Sequence, residues 1–108
     1  MAAQRLRVAF TIRAWADLDE VAEYWAERGE AARGRKYARD LPSAAIRELS
    51  DPRNARAGRF LADELYSHIQ EIRVFKRSYR ILYVLKEEEG VVQVLRFWHS
   101  HRDEPFRD

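Results

Sequence analysis

The sequence predicts an α+β fold of order β-α-α-β-β-β, a helical hairpin packed on a small, mainly antiparallel sheet. Three observations predict it. Residues 67–75, 79–86 and 91–99 are β-prone apolar runs joined by short polar turns. Two stretches with apolar residues at helical spacing precede them, and a short alternating run precedes those. With 108 residues the chain suits one domain and is too short for two, so residues 1–108 are expected to form a single unit.

Between residues 5 and 11, Leu6, Val8 and Phe10 alternate with Arg5, Arg7 and Ala9, a period of two that predicts a strand. Thr11 is placed to cap the helix that follows, and Asp17, Asp19 and Glu20 suit its positive end. Leu18, Val21, Ala22 and Trp25 form that helix's apolar stripe, and Gly29 ends it. A second helix is expected over 30–49, with Ala38, Leu41, Ala45 and Leu49 as its stripe. Pro42 lacks an amide donor and predicts a kink or a new turn there, while Asp51-Pro52 stops the helix. The first helix is acidic through Glu20, Glu23 and Glu27; the second is basic through Arg33, Arg35, Lys36 and Arg39. An antiparallel hairpin with complementary, solvated flanks follows. Residues 52–58 read as a basic loop. Lys76-Arg77-Ser78 and Glu87-Glu88-Glu89-Gly90 are tight turns, so the last three strands form an antiparallel meander.

Composition narrows the function classes. The formal net charge is +2, with 20 Lys and Arg, too small a bulk charge to indicate nucleic acid by itself. The absence of cysteine excludes disulfides and thiolate chemistry. No apolar run approaches the roughly 18 residues of a membrane span, and Met1 to Arg5 lacks a signal-peptide core. A soluble, intracellular protein without cofactor or metal is expected. No Gly-rich phosphate loop, His-x-x-x-His pair or nucleophile elbow is present, and His68 stands alone as a structural or exposed residue.

Side chains alternate along a strand, so parity assigns faces. Tyr79, Ile81, Tyr83 and Leu85 are assigned to the helix-packed core, together with Ile72, Val74, Leu95 and Phe97. The second face then collects Arg73, Arg80 and Arg96 among Glu71, Phe75, Leu82, Val84, Val92, Val94 and Trp98. That face is too apolar for solvent and too cationic for a dry core, so it reads as a binding surface. The other reading is that these arginines pair with Glu71 and Glu64 on an exposed sheet. A bulge would exchange the faces.

The ordered set of motifs resembles the RelE/ParE superfamily of type II toxin–antitoxin toxins. Ala14, Asp17 and Leu18 after the Thr-capped start, Glu71-Ile72-Arg73, Tyr79-Arg80-Ile81-Leu82-Tyr83 and His99-Ser100-His101-Arg102-Asp103 carry the likeness. The resemblance implies a cytoplasmic toxin neutralised by a cognate antitoxin that wraps it, and the face assigned by parity, Arg73, Phe75, Arg80, Leu82, Val84, Val94, Arg96 and Trp98, is then expected to bind the antitoxin or the target. RelE-like members cleave ribosome-bound mRNA without a metal; ParE-like members inhibit DNA gyrase. The strand lysines of the ribonucleases are missing, since the aligned stretch reads Ile69, Gln70, Glu71, and Phe106 stands near the place of a late tyrosine. A ribonuclease would have to rely on Arg80, His99, His101 and Arg102. The longer helical hairpin, the Tyr-Arg-Ile strand and the His-x-x-Arg-Asp-like ending favour the gyrase-inhibiting branch. A non-toxic interaction domain of the same fold is the remaining alternative.

Overall fold

In a computed structural model, which describes residues 4–100, β1 (Arg7–Phe10) is followed by α1 (Ile12–Glu27), α2 (Ala31–Leu49) and α3 (Pro52–Ala57). Then come β2 (Arg59–Phe60), β3 (Gln70–Val74), β4 (Tyr79–Lys86) and β5 (Val91–His99). Single 3-10 turns cover Glu64–Tyr66 and Glu87–Glu89. The strands form one mixed sheet in the order β1-β5-β4-β3-β2, with β1 parallel to β5 and every other pair antiparallel.

The helical hairpin forms as its pattern predicts. Thr11 Oγ1 accepts the Ala14 amide at 3.0 Å, and Gly29, at φ 77°, adopts the left-handed conformation that closes α1. The hairpin is closed tightly at Gly34, a residue whose role periodicity does not reveal. A Cβ there would stand 2.8 Å from the Ala22 carbonyl oxygen and 2.9 Å from Trp25 Cβ. Only glycine lets the two backbones approach so closely. α2 runs through Pro42 as one helix, so the proline lies inside it rather than at a break.

One surface of the sheet packs on this hairpin. Leu18 and Val21 of α1 and Leu41, Ala45 and Leu49 of α2 meet Tyr79, Ile81, Tyr83, Val92, Val94 and Phe97. Val92 and Val94 were expected on the opposite face, with Leu95 in this core. The pairing explains the exchange. Leu82 sits opposite Arg96, but the next pair is Tyr83 opposite Val94, which leaves Leu95 as an extra residue. This β-bulge shifts the alternation of β5 by one between its two halves.

The segment after α2 is more ordered than a loop. Asp51 accepts the Arg53 amide at 2.9 Å and Pro52 occupies the first turn, so the pair read as a stop also starts α3. Gln70, buried in β3, donates to the carbonyls of Ala55, Arg56 and Gly58 at 3.0–3.2 Å, and Tyr83 Oη donates to the Ala55 carbonyl at 2.7 Å. These bonds satisfy orphan carbonyls at the end of α3 and fasten it to the sheet. Burial pushes the Tyr83 phenol up to about 12, opposed in part by a backbone hydrogen bond with Gly58. β3 is shorter than the predicted 67–75, because the chain is still turning at Ser67 and Phe75 has left extended geometry (φ 54°).

Candidate functional site

The arginine-bearing face predicted as a docking surface is covered by the chain itself. After β2, residues 61–69 cross the back of the sheet, and Leu61, Tyr66 and Ile69 pack on Leu82, Val84, Leu95 and Trp98 as a second, smaller core. Leu82 is fully buried and Trp98 and Arg80 nearly so. Val94 belongs to the main core, as the bulge requires, and Phe75 packs against its margin with its ring 5.7 Å from Tyr37. Of the eight residues expected to present an apolar, arginine-ringed patch, Arg73 is the one that stands exposed.

Burial of two arginines is made tolerable by two carboxylates. Arg80 Nε pairs with Glu71 on the facing strand, both residues being about 95% inaccessible. Arg73 adds a longer contact to the same carboxylate at 3.7 Å. Glu64, the other partner considered, lies in the exposed turn Glu64–Tyr66. Arg96 finds a partner on another element. Its Nε and Nη2 donate to Asp17 of α1 at 2.8 and 3.0 Å, and its guanidinium lies 4.8 Å from the centre of the Trp98 ring.

Asp17 is the residue whose role was missed, and its position follows from strand lengths. β1 pairs with β5 only as far as Phe10 opposite Val94, yet β5 continues to His99. The start of α1 fills the gap. Thr11 Oγ1 donates to the Leu95 carbonyl at 3.0 Å, and Asp17 Oδ2 accepts the Phe97 amide at 3.0 Å. A helix side chain thus completes a sheet edge that would otherwise leave a buried donor unpaired. An aspartate on the apolar face of a helix was the available signal.

His99, one of the residues a ribonuclease would have to rely on, is paired directly with Tyr79, so both rings lie on the helix side of the sheet. Their centroids are 5.1 Å apart, and Tyr24 stands 5.9 Å from His99. Tyr79 Oη accepts the Trp25 indole N–H at 3.0 Å, and burial raises its pKa. His99 lines an open groove of about 320 Å³ with Glu20, Glu23 and Glu27, carboxylates that oppose a phosphate backbone. Arg80 is one residue beyond Tyr79 and points to the other side. Arg80 and His99 are therefore on opposite faces of one sheet. His101 and Arg102 lie outside the described residues.

Among the described residues there is no cluster of His and carboxylates able to hold a metal, and no helix is long and apolar enough to cross a membrane.

A mixed five-stranded sheet backed by a helical hairpin, with a bulged last strand and a Tyr-Arg strand beside it, defines a small α+β class. Residues 8–104 match the family described as the ParE toxin of the type II toxin–antitoxin system parDE, and the chain belongs to that family. Solved structures share the fold. The chromosomal ParDE system from P. aeruginosa aligns with TM-score 0.71 and 18% identity over 90% of this chain and 98% of that one. The toxin–antitoxin complex RelBE2 from Mycobacterium tuberculosis gives 0.67 and 23% over 91% and 94%. The isolated E. coli RelE toxin gives 0.58 and 20% over 92% and 88%. A comparison with curated protein sequences finds no significant match.

Proposed function

We propose that this chain is a toxin that acts as a protein ligand, inhibiting DNA gyrase, and that a cognate antitoxin neutralises it in the cytoplasm. The observation that carries the reading is the separation of two of the residues a nuclease would need, Arg80 and His99. Metal-free RNA cleavage requires a base, an acid and a cation around one phosphate. Arg80 is buried against Glu71 on the back of the sheet, while His99 sits on the helix side in an acidic groove. Side chains on opposite faces do not converge on one scissile bond. Membership of the ParE family supports the choice of target, and likeness to the ParDE and RelBE2 systems supports the antitoxin partner.

The test is a pair of assays on the purified chain. Supercoiling by gyrase should fall at micromolar protein, and ribosome-bound mRNA should remain intact. Cleavage in the ribosomal A site, reduced about tenfold or more by His99→Ala or Arg80→Ala, would replace this reading with the ribonuclease one. Inactivity in both assays would leave an interaction domain.

A further inference from the structure

Among the described residues, Phe75, Lys76 and Arg77 are the only non-glycine residues at positive φ, at 54°, 56° and 69°. They form the turn between β3 and β4. In the left-handed region a Cβ crowds the following carbonyl, a cost that glycine avoids. Packing accounts for Phe75, whose ring lies 5.7 Å from that of Tyr37 on α2. Ser100 holds the turn against the end of β5: its amide donates to the Ser78 carbonyl at 2.8 Å and its hydroxyl to the Arg77 carbonyl. None of these contacts uses the side chain of Lys76 or Arg77. Both are exposed, without an ion pair among the described residues. The sequence keeps two cations where glycine would sit more easily, and strain retained without internal benefit is a mark of function.

Tyr37 joins this turn to the basic side of α2. Arg33 lies one helical turn before it, with its guanidinium 5.9 Å from the centre of the Tyr37 ring and 4.3 Å from that of Trp25. Lys36 adjoins Tyr37 and is exposed, again without an ion pair among the described residues. Arg33, Lys36, Lys76 and Arg77 thus border one group of rings. Glu30 is 3.4 Å from Arg33, and Asp40 is taken by Arg39 at 3.1 Å. The net charge of +2 is therefore unevenly spread: cations gather here, while Glu20, Glu23 and Glu27 line the groove at Tyr79 and His99. Trp25, Tyr37 and Phe75 are half-buried on one another, so unpaired bases would find no free ring to stack on. Cations without stacking faces suit a duplex, which presents its phosphates and keeps its bases inside.

We propose that the β3–β4 turn and the first turns of α2 bind the phosphate backbone of duplex DNA, through Lys76, Arg77, Arg33 and Lys36. Phosphate contacts carry no sequence information, so this surface holds the chain on DNA without selecting a site. The choice of DNA over duplex RNA rests on the gyrase reading above, because an inhibitor of that enzyme works beside DNA. The cation cluster itself does not depend on that reading.

The experiment is fluorescence anisotropy of a labelled DNA duplex, titrated with the purified chain in the absence of gyrase. Binding at about 50 mM salt should weaken about 100-fold at about 200 mM, as the release of counterions from about four phosphates requires. Lys76→Gln with Arg77→Gln should weaken binding about tenfold or more and lower the salt slope by about two. Lys76→Gly with Arg77→Gly should weaken it as much without lowering the Tm, because glycine relieves the turn. Arg53→Gln with Arg59→Gln removes the same charge from exposed positions on α3 and β2 and should cost less than about threefold. An equal loss in the two glutamine variants, parental affinity in the glycine variant, indifference to salt, or tighter binding of an RNA duplex of the same sequence overturns the proposal. With gyrase absent, this binding can fail while supercoiling is still inhibited, and inhibition can fail while the binding stands.

Discussion

Asp17 and Glu71 are both almost wholly buried carboxylates paired with an arginine, yet they hold different things together. Asp17 joins a helix to the unfinished edge of β5, accepting from Arg96 through two nitrogens and from the Phe97 amide, with Arg13 as a longer contact at 3.5 Å. Glu71 also has a second arginine nearby, Arg73 at 3.7 Å, but it joins neighbouring strands whose backbones are already paired. One carboxylate replaces missing backbone structure. The other neutralises a charge on a surface that the chain later covers.

The largest effect should come from breaking the first pair. Asp17→Ala leaves Arg96 and the Phe97 amide without their acceptor and should destabilise by about 3–5 kcal/mol, measured by urea unfolding. Replacing both partners sharpens the point. Asp17→Leu with Arg96→Met removes the charges but leaves the Phe97 N–H unsatisfied, so a deficit of about 1–3 kcal/mol should persist. Full recovery in the double variant would show that the amide finds another acceptor and that the edge does not need Asp17.

This asymmetry was only partly legible in the sequence. Strands β4 and β5 are read to their exact ends, because alternating apolar residues and polar turns leave little choice there. The helical hairpin follows from its stripes. The bulge at Leu95 was not legible, since an extra residue carries no composition signal, and it moved Val92 and Val94 to the core. The cover over the back face was missed for a different reason. Leu61, Tyr66 and Ile69 follow neither a period of two nor 3.6, so nothing local announces that they pack together. Without that cover, Arg80, Leu82 and Trp98 look like a surface. Asp17 was read as a helix-end charge because its partners are 79 and 80 residues away in the chain.

A smaller effect is expected on the Glu71 side. Arg80→Met exposes Glu71 to an uncompensated burial, but Arg73 can close on it, so the loss should be about 2–3 kcal/mol, below the usual cost of a broken buried pair. Here the double replacement should succeed. Glu71→Leu with Arg80→Met leaves the β3–β4 ladder intact and should come within about 1 kcal/mol of the parent by urea unfolding. A double variant as damaged as the Asp17 one would place a backbone role on Glu71 as well, and the contrast between the two carboxylates would vanish.

Arg73→Gln should have the smallest effect, less than about 1 kcal/mol, because its side chain is a third exposed and its contact with Glu71 is long. Its value lies in combination with Arg80→Met. If Glu71 divides its attraction between the two arginines, the joint loss should exceed the sum of the single losses by about 1 kcal/mol in the same unfolding measurement. Additive losses would mean that Arg73 gives Glu71 nothing even when Arg80 is gone. Coupling would instead make Arg73 a second guanidinium for Glu71, drawn inward when Arg80 is lost.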